Sequence, residues 1–180
     1  MLYGRKAAQE HLRSLGHYFN PAGTLEHKLG LAAANYKLTQ SIPAVVDYLG
    51  GADPAPAFDA IAAHEAKLSA ILLRYLRARG DVTVFGEPGP DPDKRFPTIS
   101  FVVRGRGSRG VVEGVERVSE FGFRWGHFYS KRLCDEILQV GEEGVVRVSM
   151  VHYNTGEFAP SFLLVFGPLG SVADFCGFKR

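Results

Sequence analysis

Residues 145–155 read VVRVSMVHYNT, an apolar, largely β-branched run with one arginine inside it. This composition predicts a buried strand over Val145–Val151, because β-branched side chains pack well on a pleated sheet. Arg147 interrupts the run, and a guanidinium group in an apolar strand must be paired or must face a ligand. Its planar fork fits the two oxygens of a carboxylate. Two interpretations therefore stay open from the residues alone: a structural salt bridge and a carboxylate-binding site.

The segment Phe123–Tyr129, FRWGHFY, is the second stretch that a purely structural role does not explain. Arg124 and His127 stand there among aromatic residues, on either side of one glycine. We expect this segment to be extended. Beyond the arginine-containing strand, Asn154 and Glu157 have the spacing of residues that cap the start of a helix, so a helix is expected to follow.

Strands and helices alternate between residues 58 and 151. Thr98–Val103 is another β-branched, apolar run typical of a buried strand. The clearest helix is predicted at Phe58–Arg79, where apolar residues recur at helical spacing and arginines lie near the C-terminal end. The other predicted elements are a strand at Val82–Phe85 and helices at Val111–Phe121 and Lys131–Leu138. This order predicts an α/β fold of the α+β kind, in which helices cover a small sheet.

The first half of the chain is predicted to be helical, with little core of its own. Lys6–Leu15 has a helical pattern that ends at Gly16, a residue type that favours the left-handed conformation at helix ends. Leu29–Leu49 keeps a helical period, and Pro43 inside it predicts a kink or two consecutive helices. Gly50–Pro56 separates this half from the next helix.

The composition excludes several classes of function. A formal net charge of +2 over 180 residues gives no electrostatic footprint for nucleic acid or for an anionic membrane. Two cysteines lie far apart without metal-ligand spacing, which favours a reducing compartment. The apolar stretches are too short or too interrupted for a signal peptide or a membrane span, so we expect a cytoplasmic protein.

Two short motifs match functional patterns in a context that does not support them. GRGSRG at 105–110 has the G-x-G-x-x-G form of dinucleotide-binding turns, but no strand ending in an acidic residue follows at the expected distance. A strand-to-helix turn with Ser108 as the helix N-cap is the favoured interpretation. His64 and Glu65 begin an H-E-x-x-H zinc pattern, but Leu68 stands in place of the second histidine. The sequence therefore predicts no metal site.

The two unusual segments resemble, in order and spacing, the C-terminal domain of class V aminotransferases, and most closely the branch called cysteine-desulfurase-like proteins. That domain carries the motif R-x-G-H followed by R-x-S-x-x-x-Y-N-T. The matching residues here are Arg124, Gly126 and His127 for the first motif, and Arg147, Ser149, Tyr153, Asn154 and Thr155 for the second.

The resemblance implies roles for individual residues around pyridoxal 5'-phosphate (PLP). Arg147 would bind the α-carboxylate of a small amino-acid-like substrate. Arg124 and His127 would lie beside that substrate, on a loop over the cofactor. Thr24 is similar to the threonine of a Gly-Thr turn that reaches the PLP phosphate of the neighbouring subunit. Leu2–Arg5 resembles the strand just after the family's Schiff-base lysine.

The resemblance also implies a division of the chain. Residues 1–50 would be the helical end of the large domain, residues 51–157 the C-terminal small domain with its connecting helix, and residues 158–180 an atypical tail. The Schiff-base lysine and the acidic partner of the pyridine nitrogen belong to the part of the family fold that precedes residue 2. A PLP enzyme without these groups lacks its main control over the cofactor, so we expect no activity from this chain alone and no catalytic residue in it.

Two alternatives to an inactive domain remain. The chain could complete an active site with a complementing chain or in a homodimer, because dimers of this family share active sites between subunits. It could also be a non-enzymatic module that binds a carboxylate ligand or another protein at Arg147 without PLP.

Overall fold

The computed structural model of the protein describes residues 3–13, 23–30 and 35–156. The chain divides into two compact units, Met1–Pro54 and Ala55–Arg180. The predicted cap at Gly16, the second cap residue Glu157 and the tail 158–180 lie outside the described residues. The three-part division inferred from the family stays an interpretation.

The first unit is helical in its described parts. It contains α1 (Lys6–His11), α2 (Leu25–Leu29) and α3 (Tyr36–Tyr48), and none of these helices buries a residue. Asn35 caps α3, since its side chain accepts a hydrogen bond from the backbone N–H of Leu38 at 3.1 Å. Pro43 lies inside α3, and the helix continues through the proline, so of the two expected outcomes the break into two helices does not occur at Pro43. The kink stays a prediction.

The second unit begins with the long helix α4, Ala55–Ala78, which starts three residues before the predicted helix. The remaining elements, in chain order, are β1 (Val82–Phe85), β2 (Thr98–Val103), α5 (Ser108–Glu116), β3 (Arg124–Gly126), a π-helix (Leu133–Leu138) and β4 (Val145–Ser149). The strands form one four-stranded antiparallel sheet in the order β1-β2-β4-β3. This confirms the predicted mixed fold with a small sheet.

The hydrophobic core lies on one face of this sheet. Alternate residues of β2 point to opposite faces, so Ile99 and Phe101 are buried, both with no exposed surface, whereas Thr98 is exposed. Helices α4 and α5 cover this buried face, and we call it the core face. It packs against Leu68, Leu72 and Leu76 of α4 and against Val111, Val112 and Val115 of α5. The opposite face, with Thr98, Ser100 and Val102 of β2, is the outer face.

No helix in the described part of the chain is long and apolar enough to cross a membrane.

An ion pair fixes the turn between α4 and β1. Arg79 donates from Nε to Asp81 Oδ1 at 2.9 Å and from Nη2 to Oδ2 at 2.6 Å, a two-pronged contact. The Arg79 side chain is largely buried, whereas that of Asp81 is 41% exposed. The hydrogen bond from Arg79 lowers the pKa of Asp81.

Replacing Asp81 by asparagine is expected to lower the free energy of unfolding by about 1 kcal/mol at pH 7, a value limited by the exposure of the carboxylate. Because the pKa of Asp81 is lower in the folded chain, its contribution is present above the unfolded value of about 4 and disappears as the pH falls through the folded value. Urea unfolding of both proteins at neutral and acidic pH measures this. A difference that stays constant into strong acid would contradict the assignment.

Candidate functional site

The candidate site lies on the outer face of the sheet, where the strand pairing places Arg147 at the centre of a row. Arg147 of β4 is opposite Ser100 of β2 on one side and opposite Arg124 of β3 on the other. Phe85 of β1 extends the row beyond Ser100. Directly paired residues of an antiparallel sheet point to the same face, so these four side chains leave the sheet on the side that α4 and α5 do not cover.

Arg147 has an unusual environment for a guanidinium group. Its Nε is buried and lacks a hydrogen-bond partner, and none of the ion pairs found among the described residues involves it. The guanidinium carbon lies 3.9 Å from the centre of the Phe128 ring. The structural salt bridge that the sequence left open therefore has no acidic partner among residues 3–13, 23–30 and 35–156.

The loop that carries Phe128 has a strained backbone. Phe128 and Tyr129 both adopt positive φ, 49° and 63°, and Gly126 before them has a φ of 130°. Residues other than Gly, Asn and Asp rarely adopt a backbone conformation with positive φ. The loop is closed by a hydrogen bond from Ser130 N–H to His127 O at 2.8 Å. The extended segment predicted at 123–129 is therefore limited to the three residues of β3.

A close backbone approach holds this loop against the segment before β4. A Cβ atom on Gly144 would overlap the carbonyl oxygen of Gly126, and Gly144 has a φ of 65°. Both observations require glycine at this position. His127 adds a contact between its Nε2 and the carbonyl oxygen of Gly141 at 3.3 Å. The loop and the start of β4 thus form one local structure around Arg147.

Arg124 makes two contacts through its guanidinium group. Its Nη1 donates to the carbonyl oxygen of Phe123 at 3.1 Å and lies 3.6 Å from the Glu116 carboxylate of α5. Its side chain is largely exposed. The backbone pairs Arg124 with Arg147, but in this structure its guanidinium interacts with Glu116.

Thr24 belongs to the first unit, where it precedes α2. Its hydroxyl oxygen accepts a hydrogen bond from the N–H of His27 at 3.2 Å, as the N-cap of α2. The hydroxyl hydrogen stays available to donate to a second group.

The glycine-rich stretch 105–110 is a strand-to-helix turn. Helix α5 starts at Ser108, so Ser108 is not the N-cap: its hydroxyl donates to the carbonyl oxygen of Gly144 at 2.9 Å instead. The carboxylate of Glu143 accepts from the N–H of Arg109 at 3.0 Å. A protein carboxylate therefore occupies the helix N-terminus where a dinucleotide phosphate would bind.

The other motifs have structural explanations. His64 Nε2 lies 2.9 Å from the carbonyl oxygen of Asn154, and no group of three metal-ligating side chains occurs among the described residues. Cys134 is buried in the π-helix. The Asn154 side chain accepts from the N–H of Val151 at 2.7 Å, within a turn.

A cavity of about 530 Å³ opens on the outer face, beside the π-helix. Its wall includes Phe85, Val102, Leu138 and Glu143, but none of Arg147, Arg124 and His127. Arg147 is therefore not part of the wall of this cavity.

The chain belongs to the aminotransferase class-V family, whose sequence model matches residues 1–158. It is 55% identical over 157 residues to the aminotransferase-like protein FGM3 of Gibberella zeae, covering 87% of this chain and 39% of that protein. It is 34% identical over 160 residues to the cysteine desulfurase-like protein ustD of Aspergillus flavus, covering 88% of this chain and 36% of that protein.

A solved structure has the same fold. The cysteine desulfurase CsdA from Escherichia coli superposes with a TM-score of 0.69 at 17% identity, over 91% of this chain and 40% of that one. These matches confirm the resemblance to class V and cysteine-desulfurase-like proteins. The chain spans about two fifths of the length of these relatives.

Proposed function

We propose that this chain forms the part of a PLP-dependent class V fold that binds the substrate carboxylate. The observation that carries the proposal is the environment of Arg147, whose buried Nε has no hydrogen-bond partner among the described residues and whose side chain lies on the outer face. A buried N–H donor without an acceptor is destabilising, so a guanidinium group with such an N–H favours a ligand that can accept hydrogen bonds. A carboxylate matches the guanidinium fork in shape and charge.

The described residues fit one end of an amino acid substrate better than they fit the cofactor itself. Thr24 offers a hydroxyl donor, which suits the phosphate group of PLP. When bound, PLP would supply the electron sink for bond cleavage at the substrate α-carbon. Arg147 would orient that substrate through its carboxylate.

The first unit favours a complementing partner over an isolated module. Leu38, Ile42 and Val45 recur at helical spacing along α3, and their side chains are 66%, 37% and 53% exposed. An exposed apolar row of this kind marks a packing surface. Because the relatives are more than twice as long, we propose that the remaining part of a class V fold covers it.

The first test is a spectrum of the purified chain with PLP, followed by borohydride reduction and mass spectrometry. We expect no Schiff-base absorbance band and no lysine that carries a pyridoxyl group. One specifically modified lysine would mean that this chain has its own cofactor site, and the proposal of a substrate-binding part would have to be withdrawn.

The second test is a chimera in which residues 1–158 of this chain replace the matched portion of the Gibberella zeae protein. We expect the chimera to retain PLP through dialysis, with the spectrum of the bound cofactor changing when an amino acid is added. Retained PLP with no response to any amino acid would contradict the carboxylate role of this chain.

A further inference from the structure

We propose that Phe128 is a positioning residue that fixes the orientation of the Arg147 guanidinium. For its consequence in carboxylate binding, this inference rests on the proposed function. Whether Phe128 holds the Arg147 side chain in one orientation depends on this chain alone, and it can be measured without a ligand.

The contact geometry supports this role. The guanidinium carbon of Arg147 lies over the Phe128 ring, 3.9 Å from its centre. That separation is at van der Waals contact and well inside the range of attraction between a cation and an aromatic face. When a guanidinium group packs flat on a ring, the N–H groups in its plane remain able to bind a carboxylate through two hydrogen bonds.

Arg147 needs such a contact because no hydrogen bond fixes its Nε within the described residues. An arginine side chain has several rotatable bonds, and ordering it on binding costs entropy. A side chain that is already held in the binding orientation avoids part of that cost. The other cation–ring contacts of the structure, Arg79 with Tyr75 and Arg109 with Trp125, have longer separations of 5.9 Å.

The backbone under Phe128 is consistent with a functional constraint. Two adjacent residues with bulky side chains, Phe128 and Tyr129, have positive φ. Strained conformations of this kind persist where the surrounding structure enforces them, and they concentrate at binding sites. Here the constraint is the contact between Gly144 and Gly126, which ties the loop to the segment that leads into Arg147. The same contact therefore positions both partners of the stack.

The side chains of the two residues with positive φ differ in exposure. Phe128 is partly buried against Arg147, whereas Tyr129 is fully exposed. Because the Tyr129 ring is exposed, burial of both aromatic rings does not explain the positive φ of the two residues. The conformation places one ring, that of Phe128, on the arginine.

The test is NMR spectroscopy of the Nε–H group of Arg147 in the full chain, assigned by its loss in Arg147→Gln. In the wild type we expect an upfield shift from the ring of Phe128 and slow hydrogen exchange, because the group is buried. Phe128→Ala should remove the ring-dependent shift and speed the exchange, and Phe128→Tyr should keep both. Phe96→Ala, which removes an exposed phenylalanine elsewhere, serves as the matched control.

An acetate titration on the same signal measures the consequence for binding. We expect Phe128→Ala to raise the Kd for acetate about tenfold, the effect of losing one desolvated cation–π contact. Phe128→Leu, which keeps an apolar side chain of similar size, separates the aromatic face from general packing, and we expect it to behave like Phe128→Ala.

The outcomes separate the two proposals. An Arg147 signal that is unchanged in both Phe128→Ala and Phe128→Leu would overturn the positioning role of Phe128. A signal that changes as expected, together with no response to acetate in the wild type, would support the positioning role and contradict the proposed carboxylate function.

Discussion

In the chimera described above, Arg147→Gln is expected to raise the Kd for an amino acid about a hundredfold, because removing one member of a buried charge pair costs several kcal/mol. Glutamine keeps much of the side-chain length and polarity but removes the positive charge and the two-pronged donor geometry. The measurement is a titration of the bound-cofactor spectrum with the amino acid.

Two controls make this result specific. Arg132→Gln removes an exposed arginine that pairs with Glu136 on the π-helix, and it should leave the Kd unchanged. Retention of PLP should be the same in all three proteins, because Arg147 is proposed to contact the substrate and not the cofactor. Equal Kd values for Arg147→Gln and the parent chimera would mean that Arg147 does not bind the carboxylate.

Phe101→Ala is expected to destabilise the chain by about 3–5 kcal/mol, the typical cost of deleting a fully buried aromatic side chain. Phe101 has no exposed surface and lies in β2, between its neighbours β1 and β4 and under both α4 and α5. Small domains are stable by only about 5–15 kcal/mol, so the variant should lose a large part of its free energy of unfolding and unfold at a lower urea concentration.

Urea unfolding followed by circular dichroism measures this loss. Phe96→Ala is the matched control, since Phe96 is 85% exposed and precedes β2 by two residues in the chain. The control should stay close to the wild type. A small effect for Phe101→Ala would contradict the assignment of the core to this face of the sheet.

The strands β1 and β2 could be predicted to the residue because local signals define them. Val82–Phe85 follows a glycine that ends a helix, and Thr98–Val103 is a β-branched run directly after a proline. Strand β4 is two residues shorter than predicted. The N–H of Met150 still donates to the carbonyl oxygen of Pro97, the next position in the same register, but Pro97 has no N–H to donate in return. Local composition does not contain that contact.

The differences between the predicted and observed helices also arise from contacts between segments that are distant in sequence. Helix α5 begins at Ser108 because Glu143, distant in sequence, supplies the acceptor for its first turn. The predicted helix at Lys131–Leu138 becomes a π-helix over its last six residues, and no residue type in it signals that form. The structure shows these features because it brings separate segments together.

The site was predictable in part. Arg147 could be selected as a candidate binding residue because it is an arginine inside an apolar strand, and the motif around it indicated the family. The role of Phe128 could not be inferred, because nothing in FRWGHFY predicts positive φ at two aromatic residues. The best signal was the pair of glycines at positions 126 and 144, but their contact is visible only in three dimensions. The roles of Arg147, Arg124, His127 and Thr24 stay predictions until they are measured.

The two faces of the sheet give alternate residues of a strand different roles. Along β2, Ile99 and Phe101 determine whether the chain folds, whereas the intervening Ser100 points to the side of Arg147. A library that varies Ser100 and Phe85 while keeping Ile99 and Phe101 would test new ligand preferences and leave these two buried core residues unchanged. A change of specificity at Ser100 therefore need not wait for a compensating change in the core.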